Sequence, residues 1–108
     1  MSARRLAASA PLFAALGDET RLKLLGRLAA GGPMSIAELT EGTDVTRQAI
    51  TKHLRVLEGA GLVRSARAGR ESRWELEPER IDDARRALDL ISAQWDDALA
   101  RLKDFVER

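Results

Sequence analysis

Five hydrogen-bonding side chains recur at helical spacing in the middle of the sequence: Arg47, Gln48, Thr51, Lys52 and Arg55. Residues one turn apart share a helix face, so all five would point the same way. Arginine and glutamine bond bidentately to guanine and adenine, which makes Arg47 and Gln48 the predicted base contacts. We expect Thr51 and Lys52 to touch a base, a thymine methyl or a phosphate. Arg55 is predicted to meet a backbone phosphate.

These side chains belong to the second of two short helices predicted between residues 35 and 63. Ser35 and Glu38 have the spacing of a capping box, which marks the start of the first helix. Residues 41–44, Glu-Gly-Thr-Asp, interrupt that helix with a turn. Thr46 then supplies an N-cap oxygen for the second helix, and its hydroxyl is also a candidate phosphate contact. The inner face of the second helix is apolar, at Ile50, Leu54 and Leu57. The pattern predicts a helix-turn-helix whose second helix enters a DNA major groove.

His53 is the only histidine in the chain and precedes the apolar Leu54. Two interpretations stay open: the ring packs against a neighbouring helix, or it bonds a phosphate, so His53 is kept among the candidate DNA contacts. A metal or catalytic role would need a second histidine or a cysteine nearby, and the sequence contains no cysteine.

Two short strands are predicted next, over residues 62–68 and 72–76, around Gly69-Arg70-Glu71. A short glycine-containing connection makes them a β-hairpin, and a hairpin directly after a helix-turn-helix is the wing of a winged helix. Arg67 and Arg70 lie near its tip, where arginine can reach phosphates or a narrow minor groove. Arg73, in the second strand, is a further candidate contact. The alternative is a solvated hairpin whose arginines face only water.

The segment before residue 35 is predicted to be helical. Residues 1–10 are expected to be weakly helical, and Pro11 suits the first turn of the helix that follows. Gly17 ends that helix and Asp18 caps the next, which residues 31–33, Gly-Gly-Pro, close before a very short strand at Met34. The apolar residues predicted to face inward are Leu12, Phe13 and Leu16 in one helix and Leu22, Leu25 and Leu28 in the other.

The last predicted helix, residues 79–108, has apolar residues at alternating spacings of three and four. A domain this small cannot cover both ends of a helix about 45 Å long, so we expect a twofold dimer. The alternative is that the stripe packs within one subunit. The stripe comprises Ile81, Ala84, Leu88, Ile91, Trp95, Ala98, Leu102 and Phe105, widened by Leu90, Leu99 and Val106. The predicted dimer contacts are Leu12, Phe13, Ile81, Leu88, Ile91, Trp95, Leu99 and Leu102.

Charge is distributed unevenly along the 108 residues, although the net charge is only +1. Residues 1–43 carry five basic and four acidic groups, residues 44–74 carry seven and three, and residues 75–108 carry six and ten. The excess of basic groups therefore falls on the predicted helix-turn-helix and wing. This asymmetry predicts a polyanionic partner for that segment.

Composition also limits the class of protein. The length predicts one domain, residues 1–108. The absence of cysteine excludes disulfides and thiolate metal sites. No apolar run approaches the roughly 20 residues that cross a bilayer, so we expect a cytoplasmic protein without a membrane partner. An enzyme is not expected, since no nucleophile–base pair, phosphate-binding glycine loop or metal constellation is visible.

With these residues established, the chain resembles the ArsR/SmtB family of small bacterial winged-helix repressors. The resemblance is close over residues 11–77 and extends to the last helix by type. Four segments carry it together and in order: ALGDETRL at 15–22, the helix-turn-helix at 35–57, HLRVLEGAGLV at 53–63, and the wing residues Gly69-Arg70-Glu71 and Trp74-Glu75-Leu76.

The resemblance implies a mainly α-helical winged helix-turn-helix of about five helices, a two- or three-stranded wing and a long C-terminal dimerisation helix. It also implies a homodimer that binds an inverted-repeat operator and blocks transcription. Many relatives release DNA when a metal binds, but Ser35-Ile36-Ala37 stands where metal-sensing members place Cys-x-Cys. We therefore expect a non-metal-sensing member without a cofactor, with its operator and any inducer undefined. The alternative is a protein-interaction module that has lost DNA binding.

Overall fold

The computed structural model describes residues 3–107, which form six helices and a three-stranded sheet. Of the segment 1–10, residues 1 and 2 lie outside the described residues, and the rest is more helical than predicted. The predicted fold class, mainly α with a small β-wing, is confirmed. The elements are α1 (Ala3–Ala8), α2 (Ala10–Leu16), α3 (Glu19–Gly31), β1 (Met34–Ser35), α4 (Ile36–Thr40), α5 (Arg47–Gly59), β2 (Val63–Ala68), β3 (Glu71–Leu76) and α6 (Pro78–Val106).

Aliphatic side chains from α2 to β2, with Trp74 of β3, form one core. The prediction that Leu22 faces inward is wrong, because 53% of its surface is exposed while Leu24 is buried. The Asp18 cap starts α3 at Glu19 and so sets its phase. At 100° per residue, Leu22 then lies about 110° from the centre of the face formed by Leu24, Leu25 and Leu28.

The sheet has the strand order β1-β3-β2, and both pairings are antiparallel. Met34 pairs with Trp74, which confirms the very short first strand and attaches it to the wing. Ala68 pairs with Glu71, so the hairpin loop is Gly69-Arg70, one residue shorter than predicted. Gly69 has φ +65° and Arg70 does not have a positive φ, the arrangement of a type II′ turn.

The helix α6 projects from this body. Only Ala84 and Ala87 of its side chains are buried, with Ile81 packed against the core. The described chain measures 66 × 27 × 20 Å and has a radius of gyration of 17.9 Å, against about 13 Å for a compact domain of this size. The alternative in which the whole apolar stripe of α6 packs within one subunit is therefore wrong, although Ile81 and Ala84 at its start do pack there.

Candidate nucleic-acid interface

Thr46 determines where α5 starts. Its side-chain oxygen accepts a hydrogen bond from the backbone N–H of Ala49 at 3.1 Å, as an N-cap should. Its backbone carbonyl accepts from Ile50 at 2.9 Å, the first bond of the helix. Arg47 and Gln48 are consequently the first two residues of α5, at the end that leads a recognition helix into a groove.

The two sides of α5 differ sharply. Ile50, Leu54 and Leu57 are at most 1% exposed and attach the helix to the core. The structure brings the five predicted contact residues together on the opposite side, which we call the outer face of α5. Four of them are exposed and Thr51 is half-buried; the set is Arg47, Gln48, Thr51, Lys52 and Arg55.

The helix α4 is only five residues long and is held at both ends. At its start the predicted capping box is present: Ser35 accepts from the Glu38 N–H at 3.2 Å, and Glu38 accepts from the Ser35 N–H at 3.1 Å. The hydrogen bond from the Ser35 backbone N–H, followed by one from the Ser35 side chain, lowers the pKa of the Glu38 carboxyl below its ordinary value. These bonds therefore favour the ionised form of the carboxyl at the start of the helix-turn-helix.

At the other end of α4, Arg27 of α3 donates to the carbonyls of Leu39 and Glu38 at 2.6 and 2.9 Å. The last carbonyls of a helix have no partner within it, so a cation there supplies both hydrogen bonds and favourable charge. This contact was missed by sequence reasoning. Arg27 has no distinguishing neighbours in the sequence, and its partners are backbone atoms 11 and 12 residues away.

Seven cations lie between residues 44 and 74, and their environments fall into two groups. Three are bonded to carboxylates: Arg55, Arg64 and Arg73. In the part of the chain that the structure describes, the other four have no carboxylate or hydrogen-bond partner; we call Arg47, Lys52, Arg67 and Arg70 the unpaired cations. Two are on the outer face of α5 and two at the wing tip, and all four are exposed.

The paired cations connect elements of the fold. Arg64 of β2 lies 2.7 Å from both Glu75 and Glu77, and the hydrogen bond to Glu75 raises the pKa of the guanidinium above its ordinary value. Arg73 donates to the Pro33 carbonyl at 3.2 Å and lies 3.4 Å from a Glu38 oxygen. The structure thus places Arg73 where the wing meets α4, away from the tip.

Arg55 is paired with a carboxylate and yet largely exposed. Its guanidinium bonds Glu58 at 2.9 Å and lies 5.2 Å from the centre of the Trp74 ring, which connects α5 to β3. The side chain is still 62% exposed. Its predicted phosphate contact therefore stays a prediction.

His53 lies on a flank of α5 that faces the start of α3. Its Nδ1 is 3.7 Å from an Asp18 oxygen and 3.4 Å from the Arg21 guanidinium, and only 24% of the side chain is exposed. Asp18 accepts from the backbone N–H of Arg21 at 3.0 Å, which lowers the pKa of the Asp18 carboxyl. These contacts support packing, the first of the two interpretations of His53.

From residue 88 onward, α6 exposes a stripe of large apolar side chains. Trp95 is 64% exposed and Phe105 76%, and the stripe continues through Leu88, Leu99, Leu102 and Val106. Among the other predicted dimer contacts, Phe13, Ile81 and Ile91 are half-buried. The prediction that Leu12 contacts a second copy is wrong: it has no exposed surface because it lies in the core of its own chain.

Within residues 3–107, no three histidine, cysteine, aspartate or glutamate residues come together in a group suited to binding a metal ion. No helix there combines the length and apolar character that crossing a membrane requires.

Known proteins are similar to this chain over the helix-turn-helix and beyond it. A helix-turn-helix domain model matches residues 16–66. The HTH-type transcriptional regulator Rv2034 of Mycobacterium tuberculosis is 34% identical over 93 residues, which are 86% of this chain and 83% of the relative. An ArsR-like transcriptional regulator from Rhodococcus sp. RHA1 is 39% identical with a TM-score of 0.82, over 99% of this chain and 97% of that one.

A solution structure from Mycobacterium bovis, of the homodimeric winged helix-turn-helix DNA-binding domain of Mb0332, a possible ArsR-family regulator, is also similar. Its identity is 26% and its TM-score 0.65, with 89% of this chain and 88% of that chain covered. The similarity to these solved structures therefore includes α6 as well as the helix-turn-helix and wing.

Proposed function

The chain belongs to the ArsR family of winged helix-turn-helix transcriptional regulators and binds DNA, and from that premise we propose that it is a homodimeric repressor of an inverted-repeat operator. In each subunit α5 enters a major groove and the wing lies against the adjacent backbone or minor groove. A dimer that covers two successive grooves blocks a promoter that overlaps its site. Because the sequence contains no cysteine, thiolate-based metal sensing is not part of the proposal.

The observation that carries the proposal is the location of the unpaired cations. A cation already bonded to a carboxylate must break that bond to bind a phosphate, whereas an unpaired one contributes its full counterion release. The four unpaired cations lie at the two places where a winged helix meets DNA, and Gln48 lies beside Arg47 at the start of α5. The contact set we propose is Arg47, Gln48, Thr51, Lys52, Arg67 and Arg70, with Thr46 and Arg55 facing phosphates.

The exposed stripe on α6 supports the homodimer. Large apolar side chains at heptad spacing on a projecting helix are stabilised when a second copy covers them. To occupy successive major grooves, the two α5 helices of the proposed dimer lie about 34 Å apart, one turn of DNA. An operator with twofold sequence symmetry follows from that geometry.

Selection from a random duplex library tests DNA binding. The protein is incubated with the library, bound duplexes are sequenced over several rounds, and affinity for the enriched sequence is measured by fluorescence anisotropy at two salt concentrations. We expect an inverted repeat bound roughly 1,000-fold more tightly than random DNA. If no sequence is enriched, the proposal fails and the protein-interaction alternative is favoured.

Sedimentation velocity tests the dimer with a matched pair of variants. Leu99→Glu places a charge in the exposed stripe, and Ala93→Glu places the same charge on the opposite side of α6. We expect Leu99→Glu to sediment as a monomer and to bind the enriched duplex roughly 100-fold more weakly, since the two half-sites are no longer linked. Ala93→Glu should behave as wild type. A dimeric Leu99→Glu protein would contradict the proposed interface.

A further inference from the structure

The outer face of α5 carries an open notch that charge and hydrogen bonding alone do not explain. It is bounded by Ile36, the first residue of α4, together with Arg47, Gln48, Thr51 and Lys52. Most of the surface that lines it is carbon. An apolar depression in the middle of a cationic, hydrogen-bonding surface is complementary to a polyanion that is itself apolar at one point.

The hydroxyl proton of Thr51 is already used within α5. It donates to the backbone carbonyl of Arg47 at 2.8 Å, the i to i−4 bond that threonine makes in helices. With its oxygen turned back toward the helix, Thr51 offers its methyl group to solvent. The methyl of Thr51 and the side chain of Ile36 thus form two apolar walls contributed by two different helices.

The rim of the notch specifies the kind of molecule that fills it. Arg47 and Lys52 are unpaired and favour an anionic polymer, and Gln48 offers an amide that matches a base edge. Among the groups that distinguish one base pair from another in the DNA major groove, the 5-methyl group of thymine is the apolar one, and threonine methyls are suited to contact it. The cationic rim is complementary to the phosphate backbone, and the apolar centre is complementary to a thymine methyl group.

We infer that the notch reads the methyl group of a thymine in each operator half-site, with Ile36 and Thr51 as the specificity-determining pair. This inference rests on the proposed function, which it deepens by naming one base of the operator. It assigns a DNA contact to Ile36, a residue outside the predicted contact set.

The test replaces single thymines by deoxyuridine in the duplex enriched by selection. Deoxyuridine pairs like thymine and lacks only the methyl group, so a loss of affinity at one symmetric pair of positions reports that methyl alone. We expect the wild-type protein to lose about three- to fivefold per half-site at that pair, the factor that corresponds to burying one methyl group. Replacement elsewhere in the duplex should cost little.

Two substitutions at Thr51 form a matched pair that assigns the effect to the notch. Thr51→Val keeps a methyl group at the wall, and Thr51→Ser removes it while keeping the hydroxyl. We expect Thr51→Val to retain the preference for thymine over deoxyuridine and Thr51→Ser to lose most of it. Ile36→Ala should also lose it, and thermal melting of each variant verifies that it is folded.

The outcomes separate the inference from the function on which it rests. A wild-type protein that binds the enriched duplex tightly but is indifferent to every thymine methyl would overturn the notch and leave the proposed function intact. A thymine preference that survives in both Thr51→Ser and Ile36→Ala would also overturn it, since the methyl would then be read elsewhere. Failure to enrich any sequence would refute the proposed function itself.

Discussion

Arginines in two regions of this molecule have opposite environments. Those at the junctions between elements are bonded: Arg27 to the end of α4, Arg64 to Glu75 and Glu77, and Arg80 to the Ala60 carbonyl at 3.0 Å. Those at the start of α5 and at the wing tip, Arg47 among them, have no partner among the residues the structure describes. Net charge is therefore a poor guide to a nucleic-acid surface, because a cation that is bonded to a carboxylate must break that bond before it binds a phosphate.

We expect the largest effect on operator affinity, which should fall much more when an unpaired arginine is replaced than when a paired one is. Arg47→Ala removes one base contact from each half-site and should weaken binding to the enriched operator by about 1–3 kcal/mol per half-site, the range for a bidentate base contact. Arg64→Ala is the control in the wing, and its operator affinity should stay within about twofold, since Arg64 is already bonded to two glutamates. Anisotropy titrations with operator and random duplex measure both. Equal losses of operator affinity for the two variants would show that pairing with carboxylates does not decide which arginines bind DNA.

For stability we expect the opposite result, in which replacing a paired arginine has a large effect and replacing an unpaired one has none. Arg27→Ala removes the donor to the Leu39 and Glu38 carbonyls, and we expect the free energy of unfolding to fall by about 2 kcal/mol. Urea titration followed by circular dichroism measures this loss, and Arg47→Ala should leave the midpoint unchanged. An Arg27→Ala protein as stable as wild type would show that this bond does not fix α4.

Within the wing, the unpaired arginines and the paired Arg64 should differ in how they affect the salt dependence of DNA binding. Each phosphate contact contributes about 0.9 to the slope of log affinity against log salt concentration. Because each substitution removes one contact from each subunit of the dimer, Arg67→Ala and Arg70→Ala should each reduce the magnitude of that slope by about 1.8. Arg64→Ala in the same hairpin should not change it. Titrations at four or five salt concentrations measure the slope. A slope unchanged by either tip substitution would favour the solvated-hairpin alternative.

The smallest effect concerns pH. The pKa of Glu38 is lower in the folded chain than its ordinary value, so the unfolded state binds more protons at acidic pH. The stabilisation by this carboxylate is therefore fully present above the ordinary glutamate pKa and is lost as pH falls through the lowered, folded-state value. Glu38→Gln should flatten this part of the stability profile, measured by thermal melting from neutral to acidic pH. A profile identical to wild type would contradict the assignment.

The local elements could be predicted from the sequence because their signals lie within a few residues. Thr46 caps α5, and Ser35 and Glu38 form the capping box, as their spacing indicates. Ile50, Leu54 and Leu57 are buried as their helical period predicts. The family resemblance was also predicted correctly from short motifs in order.

The pairing of the wing cations could not be predicted because it depends on strand register. A three-residue loop, Gly69-Arg70-Glu71, would have placed Arg64 opposite Leu76. The two-residue loop places it opposite Glu75, and a shift of one residue changes which side chains face each other. The type II′ turn at Gly69 is thus the feature that decides whether Arg64 is paired or free.

Contacts between distant residues had no sequence signal at all. Arg27 and Arg80 donate to backbone carbonyls, which every residue has, so neither partner is marked by its side chain. The notch beside Ile36 likewise depends on the placement of α4 against α5. Such features follow from tertiary packing and not from periodicity.

Hydroxyl-radical footprinting on the enriched duplex tests the central claim most directly, since it reports where each subunit lies on DNA. We predict two protected regions related by the twofold symmetry of the sequence, with centres about 10 base pairs apart, and their loss in Arg47→Ala but not in Arg64→Ala. A single protected region, or a twofold footprint that Arg47→Ala leaves unchanged, would contradict the account.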